Sequence, residues 1–546
     1  MKTRCLSLLF LLFCCMETAF ANNVTISNVS ILNNGPGNVQ VKFDLSWDNS
    51  WRVNVGPNNY DGVWVFFKYK TASGNWTHMT MTGNNNVIPS GFDVYQTNDF
   101  LKAGAMIYRD ATNMGTGSVS MTNVTLGVIS TLPYNVDVRG FAVEMVFVPA
   151  PTVRPFFGDG DGTTESTNAF HYTDNTATTS SVVPMKVDVN GFDDNEIEGV
   201  TNSTGIYVYS NDTIQKTVPL GTLDPFPTMK AIWCMKYEIN QAAYRDFLNT
   251  LTYSQQAVRT AIAPNSAVGT GALTTAGTNR NYIEIATSGV STSTPAIYGC
   301  DASGDNEYDG SNDGEWIACG YLTWPDVAAY MDWSGLAPMS ELQFERISRG
   351  SSSAGPNPAI LGEYAWGTNT IFSSPYTLSG DATANEITTN ASSSVGNAAY
   401  ATTSSGGPMR SGVFANGGSS RITSGAGFYG VMELSGNLSE YCVTIGNAAG
   451  RSVRFVPNGN GNIASTGNAQ LSVGGAGFWP GMEGNLNTSN VNTCSGTCEV
   501  TGSAGMMLRG GGFDDVATEL RTAERGAFTP TARVGSRGGR GVLYIR

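Results

Sequence analysis

The sequence predicts an α+β protein, with an antiparallel β-sandwich followed by a larger, irregular, loop-rich domain. Three observations lead there. Val39, Val41, Phe43, Leu45 and Trp47 alternate with polar residues, the period of a strand with one buried face. Between residues 240 and 347, three stretches carry apolar residues at helical spacing behind capping residues. Across the chain, Gly supplies 65 of 546 residues and charged residues only 14%, against about 25% in an average soluble protein. Composition also excludes classes. Hydrophobics at 41% and aromatics at 10% leave ample core, which a disordered acidic tail would lack. The 44 acids against 30 bases, a formal charge of −14, argue against nucleic acid as a partner. Gly-rich, charge-poor segments do not build a coiled coil.

The elements follow in order. Lys2 and Arg4, an apolar run from Leu6 to Phe13 and the small residues of Ala19-Phe20-Ala21 make residues 1–21 an expected secretory signal peptide. Phe13 before Cys14 and Cys15 is too large for a lipidation site. No later stretch approaches 18 apolar residues, so no membrane span is expected. Residues 22–138 read as the sandwich. Beyond Val39–Trp47 lie the dense aromatic run Val63 to Tyr69, then Met106 to Arg109 and Val119 to Val128, separated by Asn/Gly/Asp turns. Residues 139–546 read as the second domain. It opens on a strand-like run, Ala142 to Pro149. Asn240 caps a helix bearing Tyr244, Phe247, Leu248 and Leu251 on one face. Thr323 precedes Trp324-Pro325-Asp326 and a helix through Ser334, with Pro in the first turn. Ser340 and Gln343 form a capping box for a short helix through Ile347. After Gly350 only loops and short strands are expected.

Export leaves six Cys: Cys234, Cys300, Cys319, Cys442, Cys494 and Cys498. The local pairs Cys300/Cys319 and Cys494/Cys498 are the simplest disulfides in an oxidising compartment. Only His78 and His171 are present, neither with a second ligand at zinc spacing. No nucleophile motif or phosphate loop occurs. The acidic loops Asp159/Asp161 and Asp301 to Glu315 read as solvated loops rather than calcium sites.

Several short motifs occur in a telling order. They are Met145 to Pro149, Tyr237 to Gln241 leading into Tyr244 to Asn249, Trp324 to Tyr330, Pro338 to Glu345, Gly430 to Glu440, and Leu508 to Phe513 with Arg521 and Arg525 behind it. Together they resemble the formylglycine-generating enzyme, or sulfatase-modifying factor, family. The likeness covers roughly residues 140–546 and implies a variant of the C-type lectin fold. The two-domain arrangement also resembles exported proteins of Bacteroidota-type bacteria. The family's oxidases bind copper through two Cys. The matching positions here are Thr522 and Val542, and neither side chain supplies the thiolate that Cu(I) requires. Copper is therefore not expected. The family's calcium loop maps onto Glu433, Gly436, Leu438 and Glu440, a set of oxygen donors that calcium accepts. An alternative keeps Glu440 as the partner of an Arg. A second family calcium site would match Asn397 and Ala398.

All nine Lys lie at or before Lys236, whereas residues 237–546 carry 16 Arg. Arg509, Arg521, Arg525, Arg533, Arg537, Arg540 and Arg546 crowd the last 38 residues against four acids. Two readings stand: internal staples for irregular loops, or an anion-recognising surface. On the second, Arg521, Arg525, Arg533, Arg537 and Arg540 with Phe528 would contact a ligand. The leading expectation is an exported, non-catalytic binding or envelope-assembly protein whose partner is a glycan, a peptide or an envelope protein. Its contact surface would be residues 513–541. Two alternatives are an oxidoreductase of altered site and a ligand-binding target of diversity-generating variation. The absence of Asn after Arg509 counts against the latter.

Overall fold

The computed structural model describes residues 23–33, 39–96, 102–129, 132, 136–152, 155–158, 169–172, 185–186, 206–207, 230–351, 359–373, 375–401, 405–444, 450, 458–470, 479–482, 497–526 and 532–545. Eight strands come first: β1 (Thr25–Asn33), β2 (Val39–Arg52), β3 (Asp61–Lys70), β4 (Trp76–His78), β5 (Phe92–Gln96), β6 (Ala105–Arg109), β7 (Gly115–Val128) and β8 (Val138–Val148). Short strands β9 (Phe156–Phe157), β10 (His171–Tyr172), β11 (Met185–Lys186) and β12 (Ile206–Tyr207) pair as β9/β11 and β10/β12. Then come β13 (Ile232–Met235), α1 (Gln241–Leu248), α2 (Tyr253–Arg259), the hairpin β14 (Ile283–Thr287) and β15 (Ile297–Cys300), α3 (Trp324–Ser334) and α4 (Glu341–Arg349). The rest is loop, broken by β16 (Leu378–Ser379), β17 (Ile387–Thr388), α5 (Arg421–Ser424), β18 (Ser439–Val443), β19 (Met506–Arg509), β20 (Arg537–Gly538) and β21 (Val542–Tyr544).

Strand dominates helix, and nearly all pairing is antiparallel. Sheet β1-β2-β7 faces a seven-stranded sheet in the order β21-β13-β8-β3-β6-β5, with β4 added on β3. Between them, Val41, Phe43, Leu45 and Trp47 meet Val63, Val65, Phe67, Val124 and Leu126 in one apolar cluster. The period of two explains the aromatic density of β3. Val63, Val65 and Phe67 point into the sandwich. Trp64 and Phe66 point the other way, into the main core with Met145, Trp233, Phe247 and Trp333. Because both faces are covered, β3 is buried from Asp61 to Lys68.

The expected boundary at 138/139 falls at the start of β8, which is common to both parts. One edge of β8 pairs with β3 and the other with β13, and β13 pairs with the C-terminal β21. One sheet therefore runs from the sandwich to the end of the chain. Polar side chains add to the seam. Trp64 Nε1 donates to the Ser334 carbonyl at 2.8 Å, and Lys68 Nζ to that of Trp333 at 2.7 Å.

The caps follow the sequence. Asn240 Oδ1 accepts from the Ala243 N–H at 2.8 Å, and capping boxes close α3 and α4. Helix α2 was not foreseen, although its capping box, Thr252 with Gln255, is written in the sequence. The expected Cys300–Cys319 disulfide is not formed. Both thiols are free and buried, Cys300 ending β15 and Cys319 beyond the acidic loop. Cys234 and Cys442 are also free and buried. Cys498 is disulfide-bonded, and its expected partner Cys494 lies outside the described residues. No helix among the described residues is long and apolar enough to cross a membrane.

Candidate functional site

Strand β18 organises the C-terminal region. It pairs antiparallel with β19, setting Glu440 against Arg509, and parallel with β20, setting Ser439 against Arg537. Alternation then sends the arginines to different places. Arg540 is fully buried and grips Glu440 with two parallel bonds, Nε to Oε2 at 2.6 Å and Nη2 to Oε1 at 2.7 Å. Its remaining N–H groups reach the carbonyls of Met235, Lys236 and Glu433. Arg525 binds Glu341 with Nε to Oε1 at 2.7 Å and Nη2 to Oε2 at 3.1 Å, and it also reaches Thr444. Arg509 bridges Glu341, Glu345 and the Thr522 carbonyl. Burial, the largest effect on Glu345, opposes its ionisation, but Arg349 and Arg509 together outweigh it and hold the carboxyl below its usual range.

Arg533 is paired with Asp326 at 2.6 Å, and Asp326 also takes Arg259 at 3.2 Å. Arg521 lies over Gly362 beside Tyr364. Phe528 lies outside the described residues. The six-residue anion surface is thus not assembled. Arg525, Arg533 and Arg540 point inward as staples, because buried loop carboxylates need guanidinium forks more than the surface does. Arg537 borders an open cleft.

That cleft, of about 300 Å³, is lined by Gly510, Gly511, Asp515, Glu519, Ser536 and Arg537 among others. Gly511 has φ +66°, and a Cβ there would stand 2.8 Å from Leu520 Cδ1 and 2.9 Å from the Glu519 carbonyl oxygen. Asp515 accepts from the Gly512 N–H at 2.7 Å and from Ser439 at 3.3 Å. Burial, then the neighbouring Asp515, raises the Glu519 pKa. The wall is richer in acceptors than in cationic donors, the opposite of the expected anion site.

The side chains of the loop matched to the family's calcium site have protein partners. Glu440 is committed to Arg540. Glu433 accepts from the Gly412 N–H at 2.7 Å through Oε1, and its Oε2 is buried with no partner among the described residues. The Gly436 N–H goes to the Gly510 carbonyl, and the Leu438 N–H goes to Glu238 at 2.9 Å. Glu238 is the residue that sequence reasoning missed. Its only signal was its place in the Tyr237 to Gln241 motif. It also accepts from Asn437 at 2.5 Å, and the Arg540 guanidinium, paired directly with Glu440, also favours the charged forms of the buried Glu238 and Glu433. Burial, outweighing Arg540, pushes Glu433 up to about 7. Among the described residues, no three His, Cys, Asp or Glu side chains are placed to hold a metal ion. Asn397 spends its amide on Ser392 and Thr423. Asp301 is wrapped by the N–H groups of Gly304, Asp305 and Asn306.

Thr522 and Val542 are both fully buried. Val542 sits in β21 within the main core. The Thr522 hydroxyl has no hydrogen-bond partner among the described residues. The free thiol of Cys442 is fully buried in β18, and burial pushes its pKa well up, away from the reactive thiolate.

No family model matches the chain. No curated protein matches it either. Among solved structures it is similar to Treponema denticola variable protein 1, with 10% identity and a TM-score of 0.30, over 74% of this chain and 95% of that one. It is also similar to PvdO from Pseudomonas aeruginosa, with 12% identity and a TM-score of 0.24, over 74% and 95% of the two chains. At such identities and TM-scores, neither likeness defines a family or an activity.

Proposed function

We propose that this chain is an exported, non-catalytic binding or envelope-assembly protein built on a C-type lectin-like frame. The frame is supported by the meeting of β8, β13 and β21 in one sheet, which brings the second domain's first and last strands together around long loops. The observation that carries the functional reading is the state of Thr522 and Val542. Where oxidases of the resembled family carry copper thiolates, this chain has two fully buried side chains that cannot become thiolates. The contact site is the cleft beside Gly510, Gly511 and Arg537. Its acceptor-rich wall suits a peptide or glycan that presents N–H or O–H donors.

The test is binding of the purified full chain to immobilised envelope peptides and glycans, with Arg537→Ala and Asp515→Ala as comparators. Both variants should lose binding by about tenfold, a change of about 1.4 kcal/mol. Oxygen consumption with a Cys-containing peptide and added copper would defeat the non-catalytic reading.

A further inference from the structure

A second cleft lies far from the C-terminal one in sequence, on the seam between the sandwich and the main core. It encloses about 330 Å³ between the start of β1, strand β8 from Gly140 to Glu144, helix α1 and Trp316. We propose that this cleft binds a neutral sugar ring.

Two residues that line it each bury a polar atom with no partner among the described residues: Glu144 Oε1 and the Tyr237 hydroxyl. Both side chains belong to residues only 4% exposed, so leaving these atoms unmade is costly unless something visits. They are neighbours. Lys236 Nζ lies 2.9 Å from Glu144 Oε2 and 5.2 Å from the Tyr237 ring centroid. One is an acceptor and the other a donor. A sugar hydroxyl answers both, because it donates and accepts at once.

Two of the cleft's three acids are paired with cations, and the third is held by neutral donors. Glu144 is paired with Lys236, and Asp246 with Arg245 at 2.8 Å. Glu238 faces Asn437 and the Leu438 N–H. Phosphate is disfavoured by the excess of acids, and burial pushes the Glu238 pKa well up, which disfavours a quaternary amine. The walls supply the apolar half of the recognition. Phe141 and Trp316 are each part-exposed. Phe141 is held rigid by stacking on Phe66 at 5.2 Å and by an edge contact with Trp333 at 4.8 Å. Asn240 spends its amide oxygen on the α1 cap, and among the described residues its side-chain N–H groups are open to a second hydroxyl.

The experiment measures tryptophan fluorescence and binding heat on the full chain. The probes are the neutral trisaccharides of N-acetylglucosamine, glucose, xylose, mannose and galactose, with choline and inorganic phosphate as ionic controls. At least one trisaccharide should bind at millimolar concentration or below. Trp316→Ala and Tyr237→Phe should each weaken it about tenfold, and Ala243→Trp, which fills the cleft from a half-exposed helix position, should abolish it. Val290→Ser, at an exposed position outside both clefts, should leave it unchanged. No trisaccharide binding, binding indifferent to Trp316→Ala and Ala243→Trp, or choline or phosphate binding in place of sugar would each overturn the proposal.

Discussion

The arginines of the C-terminal segment act mainly by neutralising carboxylates that irregular loops have buried. Removing one partner leaves the other charged and dry, which costs about 3 kcal/mol or more. Arg540→Met should therefore lower the urea midpoint sharply, since Glu440 then loses both of its bonds from that guanidinium. The double variant Arg540→Met, Glu440→Leu should recover part of the loss, because a matched apolar pair has no desolvation cost. Equal midpoints for single and double variants would refute the staple.

Glu433 makes a pH prediction. Its folded pKa is raised to about 7, above the ordinary 4.5, so the native state holds a proton that the unfolded chain has released. The stability it contributes is complete below about pH 4.5 and is lost as pH rises through about 7. Glu433→Gln should flatten that decline in urea titrations between these limits. His78 slopes the other way. Burial, then Lys68, lowers its pKa well below 6.5, so its contribution is lost as pH falls below that value. Only the difference between wild type and Glu433→Gln isolates the glutamate.

At the scale of elements, the short helices depend on their caps more than on length, since helices of seven to eleven residues are marginal alone. Ser340 accepts from the Gln343 N–H while Gln343 reaches back to the Ser340 N–H at 2.9 Å. Ser340→Ala should cost about 1 kcal/mol, read from the denaturation midpoint. These caps were legible because a capping box is a local signal. The small sheet β19-β18-β20 was not. Its three strands come from segments up to 100 residues apart, and two of them pair in parallel, which no local pattern announces. The C-terminal cleft was legible only in part. Residues 513–541 include most of its open rim, but which arginines face it depended on the pairing of β18.

At the scale of the molecule, the sandwich is not free-standing. Severing the chain before β8 would leave β3 without one neighbour and expose Trp64 and Phe66. A fragment of residues 22–137 should aggregate or stay unfolded in circular dichroism and gel filtration. The full chain should melt in one transition that includes the sandwich. A well-folded 22–137 fragment would show that the seam adds little.

The sequence by itself determined the β character of the first part, the strand alternation, the helix caps and the lack of thiols at positions 522 and 542. Each of these is written in neighbouring residues or in residue identity alone. Only the tertiary structure decided that β8 is shared, that Cys300 and Cys319 remain thiols, that Glu440 holds Arg540, and that the arginines turn inward. Those outcomes depend on which distant backbone lies alongside. In a Gly-rich chain that choice is made by the burial of charge and aromatic surface across the whole molecule, not by any local periodicity.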